Sequence, residues 1–296
     1  PIFTCTATNI PLLYIDAKIK FADIDPDTFN IDIESVKKLI TKKTKAIAFV
    51  NYGGLPCNLR ELNKLAKKHK LALIQDAAQS LAATYEKKAI TKYADFTIFS
   101  FQAIKQITSG DGGMLVVKNK NLVKKAKRIR WFGIDRLAKQ GGNWENDITE
   151  IGYKYQMTDI GAALLLESIK EFGKIKKIRR LIFNTYKKIL SKNKNIKIVD
   201  SKEIKGHANW LFTILVEKKD YLQKKLREKL IETNQVHFRN DRYTIFNKFT
   251  KNKKFRNMDA VEEKYLVLPI HTKMRVSDAI YVGQQINKIL PYNKKS

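Results

Sequence analysis

The sequence predicts an α/β protein, with a mostly parallel sheet flanked by helices and a smaller α+β region towards the C-terminus. Three observations predict it. Short continuous apolar runs at 45–50, 71–75 and 96–101 have the character of strands covered on both faces. Stretches with helical spacing of apolar residues, 33–40 and 59–69, lie before and between them. The connections carry Gly, Pro and Asn, the residues that turn a chain.

In chain order, 19–23 reads as a strand, 33–40 as a helix and 45–50 as a strand. A turn through Gly53, Gly54 and Pro56 leads to helix 59–69 and strand 71–75. Strands 96–101 and 114–118 extend the sheet. The glycines at 110, 112 and 113 read as a tight turn before the last strand in preference to an anion cradle. Residues 157–190 read as helical. Beyond them come a strand at 210–216, a helix at 219–233, a short strand at 266–270 and a last helix at 276–290. This pattern predicts a large domain over 1–175 and a small one over 176–296. Trp131 and Trp210 read as core aromatics.

Composition narrows the class. With 296 residues, 44% of them hydrophobic, the chain has material for a sizeable core. No apolar run is long enough for a transmembrane helix, and no charged and apolar leader precedes the first strand-like segment. The chain starts without Met, so an N-terminal segment is expected to be missing. Cys5 and Cys57 are too few for a disulfide framework, which points to a reducing, cytoplasmic setting. The four histidines are scattered without ligand spacing, so no metal site is expected. The net charge of +29 raises the alternative of a polyanion-binding protein. The lysines occur as dispersed pairs such as Lys37-Lys38 and Lys224-Lys225, which favours solvated helix faces over a nucleic-acid site.

In parallel sheets ligands gather at the carboxyl ends of the strands. Three segments fall there: Asn51-Tyr52-Gly53-Gly54, Asp76-Ala77-Ala78-Gln79, and Ser100 leading to Lys105. A lysine buried past a strand end can act as an amine nucleophile, because desolvation frees its lone pair. A carboxylate can keep a pyridine-type ring nitrogen protonated so that the ring accepts electrons. Lys105 and Asp76 are candidates for these roles, and as residue types alone they leave a capping or turn role for Asp76 open.

The ordered segments carry more. Thr4-Cys5-Thr6-Ala7-Thr8-Asn9, Gln75-Asp76-Ala77-Ala78-Gln79-Ser80, Ser100-Phe101-Gln102-Ala103-Ile104-Lys105 and Gly152-Tyr153-Lys154-Tyr155-Gln156-Met157 follow one another, with 29 positions (105 − 76) from Asp76 to Lys105. Together they resemble the DegT/DnrJ/EryC1/StrS family of nucleotide-sugar aminotransferases, which use pyridoxal 5'-phosphate (PLP). The resemblance implies the aspartate-aminotransferase-like, fold type I architecture and a homodimer with composite sites. It implies transfer of an amino group, commonly from glutamate, to a nucleotide-linked keto-sugar, of the kind used in surface-glycan or antibiotic-sugar synthesis.

Residue by residue, it implies that Lys105 holds PLP as a Schiff base and moves the proton. Asp76 would meet the pyridine nitrogen, Gln79 the ring hydroxyl and Ser100 the phosphate. Related sugar dehydratases carry histidine where this chain has Lys105, so Lys105 implies transamination. Cys5 stands where relatives stack an aromatic residue on the ring, and Lys154 and Gln156 stand where relatives reach the neighbouring subunit's phosphate. The family's Gly-Thr/Ser-x-Ala phosphate turn is not in this sequence, which leaves a non-catalytic, cofactor- or sugar-nucleotide-binding homologue as the alternative. Val236 to Asp241 resembles a segment near the sugar nucleotide, which would put Arg239 at a diphosphate and His237 at substrate; a surface loop with an ordinary basic residue is the equal alternative.

Overall fold

The computed structural model describes residues 1–145 and 147–291. Its strands are β1 (Ala46–Val50), β2 (Ala72–Asp76), the hairpin β3 (Thr84–Tyr85) and β4 (Lys88–Ala89), β5 (Phe96–Ser100), β6 (Gly113–Val117), β7 (Lys197–Ile198), β8 (Phe212–Leu215) and β9 (Tyr265–Leu268). Its α-helices are α1 (Thr6–Asn9), α2 (Ile33–Leu39), α3 (Leu59–Lys68), α4 (Val123–Ile129), α5 (Arg136–Gln140), α6 (Asp159–Lys170), α7 (Phe172–Leu190), α8 (Lys219–Arg227), α9 (Asn247–Thr250), α10 (Arg256–Val261) and α11 (Val276–Ile289).

The first sheet runs β1–β2–β5–β6, parallel through β5, with β6 antiparallel at the edge. Its register sets Val50 beside Asp76 and Asp76 beside Ile98, so three strand ends reach one rim. Helix α3 begins where the Asn58 side chain accepts from Glu61 N–H, and it buries Leu59, Leu62, Leu65 and Ala66 on one stripe. The second sheet, β7–β8–β9, is antiparallel and buries β8 and β9 completely beneath α7, α8 and α11. A separate apolar seam joins the two ends of the chain. Ile2, Phe3, Phe29 and Tyr52 pack there with Trp210, Leu211 and Tyr265.

Several elements differ from the sequence reading, each for a local reason. Residues 19–23 are extended but form no strand. Their backbone bonds go to Ile2 and Asp32 (Ile2 N–H to Ala22 O, Asp32 N–H to Asp23 O) instead of a neighbouring strand. The helix expected over 219–233 ends at Arg227. Leu230 turns left-handed (φ 57°), and Ile231 N–H returns to Leu226 O. The helical stretch 157–190 breaks at Glu171 into α6 and α7. Strand β8 starts only at Phe212, because Trp210 and Leu211 both donate to Gly53 O.

Candidate functional site

The site is built on the rim where β2 and β5 end. Asp76 is the last residue of β2, and its two carboxylate oxygens are held separately. Oδ2 accepts from the Thr8 hydroxyl at 2.6 Å, and Oδ1 accepts from Ala78 N–H at 2.9 Å. Thr8, in the short turn α1, is fixed in turn by Thr4 just ahead of it, oxygen to oxygen 2.8 Å. A carboxylate gripped at both oxygens keeps one orientation.

Ser100 ends β5, and its hydroxyl accepts from Gln102 N–H at 3.3 Å. The chain then folds back on itself. Ser109 N–H and the Thr108 hydroxyl both donate to Phe101 O, and Lys105 N–H donates to Gln102 O. Gln106 ties this loop across the molecule through its side-chain N–H to Ala208 O, 2.8 Å. Lys105 Nζ lies 5.2 Å from the centre of the Trp210 ring. Burial lowers the Lys105 pKa, while the negative charges of Asp76 and Cys5 oppose the shift. The net effect enlarges the free-amine fraction, as a nucleophile needs.

Gln79 occupies the ground between. Its Oε1 accepts from Gly53 N–H at 2.7 Å, and its Nε2 meets His237 Nε2 at 2.8 Å. The first bond decides the second. With Oε1 on Gly53, only the NH2 end of the amide faces His237, and an amide nitrogen donates without accepting. His237 Nε2 is therefore the acceptor, the ring is neutral, and its proton sits on Nδ1. Burial and the charge of Lys105 agree, pushing the His237 pKa down to about 4. One N–H of Gln79 remains for a ligand.

Gly53 can serve because it is left-handed (φ 61°), and its neighbour Gly54 (φ 96°) has Gln79 O only 2.8 Å from where a Cβ would stand. No other residue type fits at Gly54 without moving the Gln79 loop.

The other expected residues are placed less centrally. Cys5 is exposed and precedes α1. Lys154 is exposed and bridges to Trp131, while Gln156 has a buried Oε1 without a partner. Among the described residues neither Lys154 nor Gln156 bonds to Asp76, Gln79, Ser100 or Lys105. Arg239 corrects the expectation of a diphosphate ligand. It is 5% exposed, forks onto Asp241 through Nε and NH2, and gives NH1 to Asp259 and Glu262. A guanidinium enclosed by three carboxylates is not free for a fourth anion.

Thr8 and Trp210 were given no place at this rim by sequence reasoning, and Gly53 stood in a strand-end segment without a role of its own. Only Thr8 had a signal, its four-residue spacing from Thr4 within the first motif.

The donor set fits PLP on this geometry. A nucleophilic amine faces a carboxylate fixed for a basic ring nitrogen, an amide keeps one N–H free beside them, and a hydroxyl ends the next strand. Such a rim on a parallel sheet defines an enzyme that works through an aldehyde cofactor bearing a pyridine-type ring. The chain belongs to the DegT/DnrJ/EryC1/StrS aminotransferase family, which it matches over residues 1–287. It is a PLP-dependent aminotransferase.

It is 32% identical to a UDP-4-amino-4,6-dideoxy-N-acetyl-beta-L-altrosamine transaminase of Campylobacter jejuni, covering 99% of this chain and 78% of that one. The sugar aminotransferase CalS13 of Micromonospora echinospora shares the fold, with a TM-score of 0.91 at 24% identity over 96% of this chain and 78% of that one. The Streptococcus pneumoniae sugar aminotransferase Spr1654, solved in its PMP form, superposes with a TM-score of 0.88 at 25% identity, over 98% and 80%. No helix among the described residues is long and apolar enough to cross a membrane.

Proposed function

We propose that this enzyme transfers an amino group from glutamate to a nucleotide-linked keto-sugar in the cytoplasm. The observation that carries this is the half-buried Lys105 amine, under the charge of the doubly held Asp76 carboxylate. When bound, PLP would supply the aldehyde that takes up the amino group and the ring that accepts the electron pair left when the adjacent carbon loses its proton. Lys105 Nζ would be the residue that anchors it and the base and acid for the proton transfer. Asp76 would hold the proton on the ring nitrogen, the free N–H of Gln79 would meet the ring oxygen, and Ser100 would contribute to the phosphate site. Cys5 would lie against the ring, His237 would wall the substrate side, and Lys154 and Gln156 would reach towards a partner subunit's phosphate. Residues 1–175 form the large domain and 176–296 the small one.

A homodimer is part of this reading. Helix α6 buries only Gly161 and Leu165, and leaves Ile160, Leu164 and Leu166 exposed, as are Ile151 and Tyr155. An apolar surface of this kind marks an interface, and a second copy covers it symmetrically.

The test is the visible spectrum of the protein with PLP, before and after Lys105→Ala. A bound-cofactor band that is absent in the variant, and shifts when glutamate is added, is the expected result. No band in the unmodified protein would leave it a non-catalytic homologue.

A further inference from the structure

Trp210 is 8% exposed, yet its ring meets two cations. Lys105 Nζ is 5.2 Å and the Arg179 guanidinium 4.8 Å from the ring centre. The residue is pinned at both backbone ends. Its N–H donates to Gly53 O at 3.0 Å, and its carbonyl accepts from Arg179 NH1 at 3.1 Å. Arg179, on α7, is itself 7% exposed, makes no ion pair among the described residues, and has an Nε without an acceptor. Its partners are the Trp210 ring and the carbonyls of Asn209 and Trp210. Burial lowers its pKa to about 10. A buried cation without an anion is strongly unfavourable, and Arg239, enclosed by three carboxylates, is the contrasting case in the same chain.

Lys105 needs two stations, one bonded to the cofactor and one while its amine is free. A carboxylate partner at the second station would trap its proton. An aromatic face attracts the ammonium form without accepting that proton. Asp76 is the nearby anion, and Thr8 and Ala78 already hold its oxygens.

We propose that Trp210, anchored by Arg179, is a positioning residue whose ring is the resting place of the Lys105 side chain while its amine is not bonded to the cofactor. Its catalytic meaning rests on the aminotransferase reading, whereas the contact itself does not.

The test uses cofactor-free protein and trace acetic anhydride over a range of pH. Mass spectrometry of the Lys105 peptide, with the other lysines as internal controls, gives the midpoint at which its amine becomes reactive. The groups facing Lys105 are Asp76 from β2, Cys5 from the segment before α1, His237, and Trp210 with Arg179 behind it. Trp210→Phe offers a weaker face and lowers the midpoint by about half a pH unit. Trp210→Leu, with no face, lowers it further. Arg179→Met removes a like charge and raises it.

Simple loosening would admit water and move every variant upwards, towards the ordinary lysine value. An upward shift or no shift in Trp210→Phe and Trp210→Leu overturns the proposal, whether or not Arg179→Met folds. The labelling needs no cofactor, so a missing visible band would sink the aminotransferase reading without changing this result.

Discussion

Gln79→Glu should turn His237 from a neutral acceptor into a cation at near-neutral pH. In the native site Gly53 N–H holds Oε1, and Nε2 donates to His237 Nε2 at 2.8 Å. A glutamate keeps the bond to Gly53 but sets a second oxygen against the imidazole lone pair, acceptor facing acceptor. Protonating His237 relieves the clash and forms an ion pair. With charge centres about 3.5 Å apart and an effective dielectric of about 20, the attraction is about 4–5 kcal/mol. At 1.36 kcal/mol per unit this is about three pH units. His237, pushed down to about 4 in the native protein, should then titrate near 7. With only four histidines in the chain, 15N-edited NMR resolves them singly. The native spectrum should show His237 neutral, protonated on Nδ1, from pH 5.5 to 8. A native His237 protonated on Nε2, or an unmoved midpoint in Gln79→Glu, would refute the reasoning.

Thr8→Val removes the hydroxyl that grips Asp76 Oδ2, a charge-assisted bond worth about 1.5–3 kcal/mol. PLP affinity, followed by absorbance titration, should fall about tenfold or more, and Thr8→Ser should restore most of it. Gly54→Ala puts a Cβ 2.8 Å from Gln79 O and 3.0 Å from Ala208 Cβ at a left-handed φ, so the melting temperature should drop by about 5 °C. Stability should also fall in mild acid. His237 and His207 are both lowered from 6.5 to about 4, chiefly by burial, so between those values the unfolded chain binds more protons than the folded one. Each shift of 2.5 units (6.5 − 4) contributes about 3 kcal/mol that is present above pH 6.5 and lost as the pH falls to 4. Urea midpoints should decline steadily across that range, and a flat profile would contradict the burial of both rings.

The legible parts of the sequence are those whose physics is local. Strands β1, β2 and β5 announced themselves as short continuous apolar runs, although β5 leaves Ile98 exposed. Lys105, Asp76 and Gln79 were singled out by the resemblance of their segments to family motifs, since a strand-end position alone left a cap or turn role for Asp76 open. What escaped depends on partners far along the chain. Nothing around Leu230 shows that Ile231 N–H will return to Leu226 O and stop α8 early. Residues 19–23 have a strand's composition, but their backbone partners are Ile2 and Asp32. Arg239 looked like an anion ligand because sequence gives its charge and not its neighbours, and two of its three carboxylates come from Asp259 and Glu262, twenty or more residues on.

The same logic explains why Trp210 reads as an ordinary core residue. It is one by burial, and its place beside Lys105 follows only from the left-handed turn at Asn209 and the bond from Trp210 N–H to Gly53 O. Gly53 is the common element. Its N–H orients Gln79, and its carbonyl receives both Trp210 and Leu211. One glycine thus fixes the Gln79 amide and the Trp210 ring beside Lys105. A change there should disturb cofactor binding and lysine reactivity together, whereas a change at Gln79 or Trp210 should separate them.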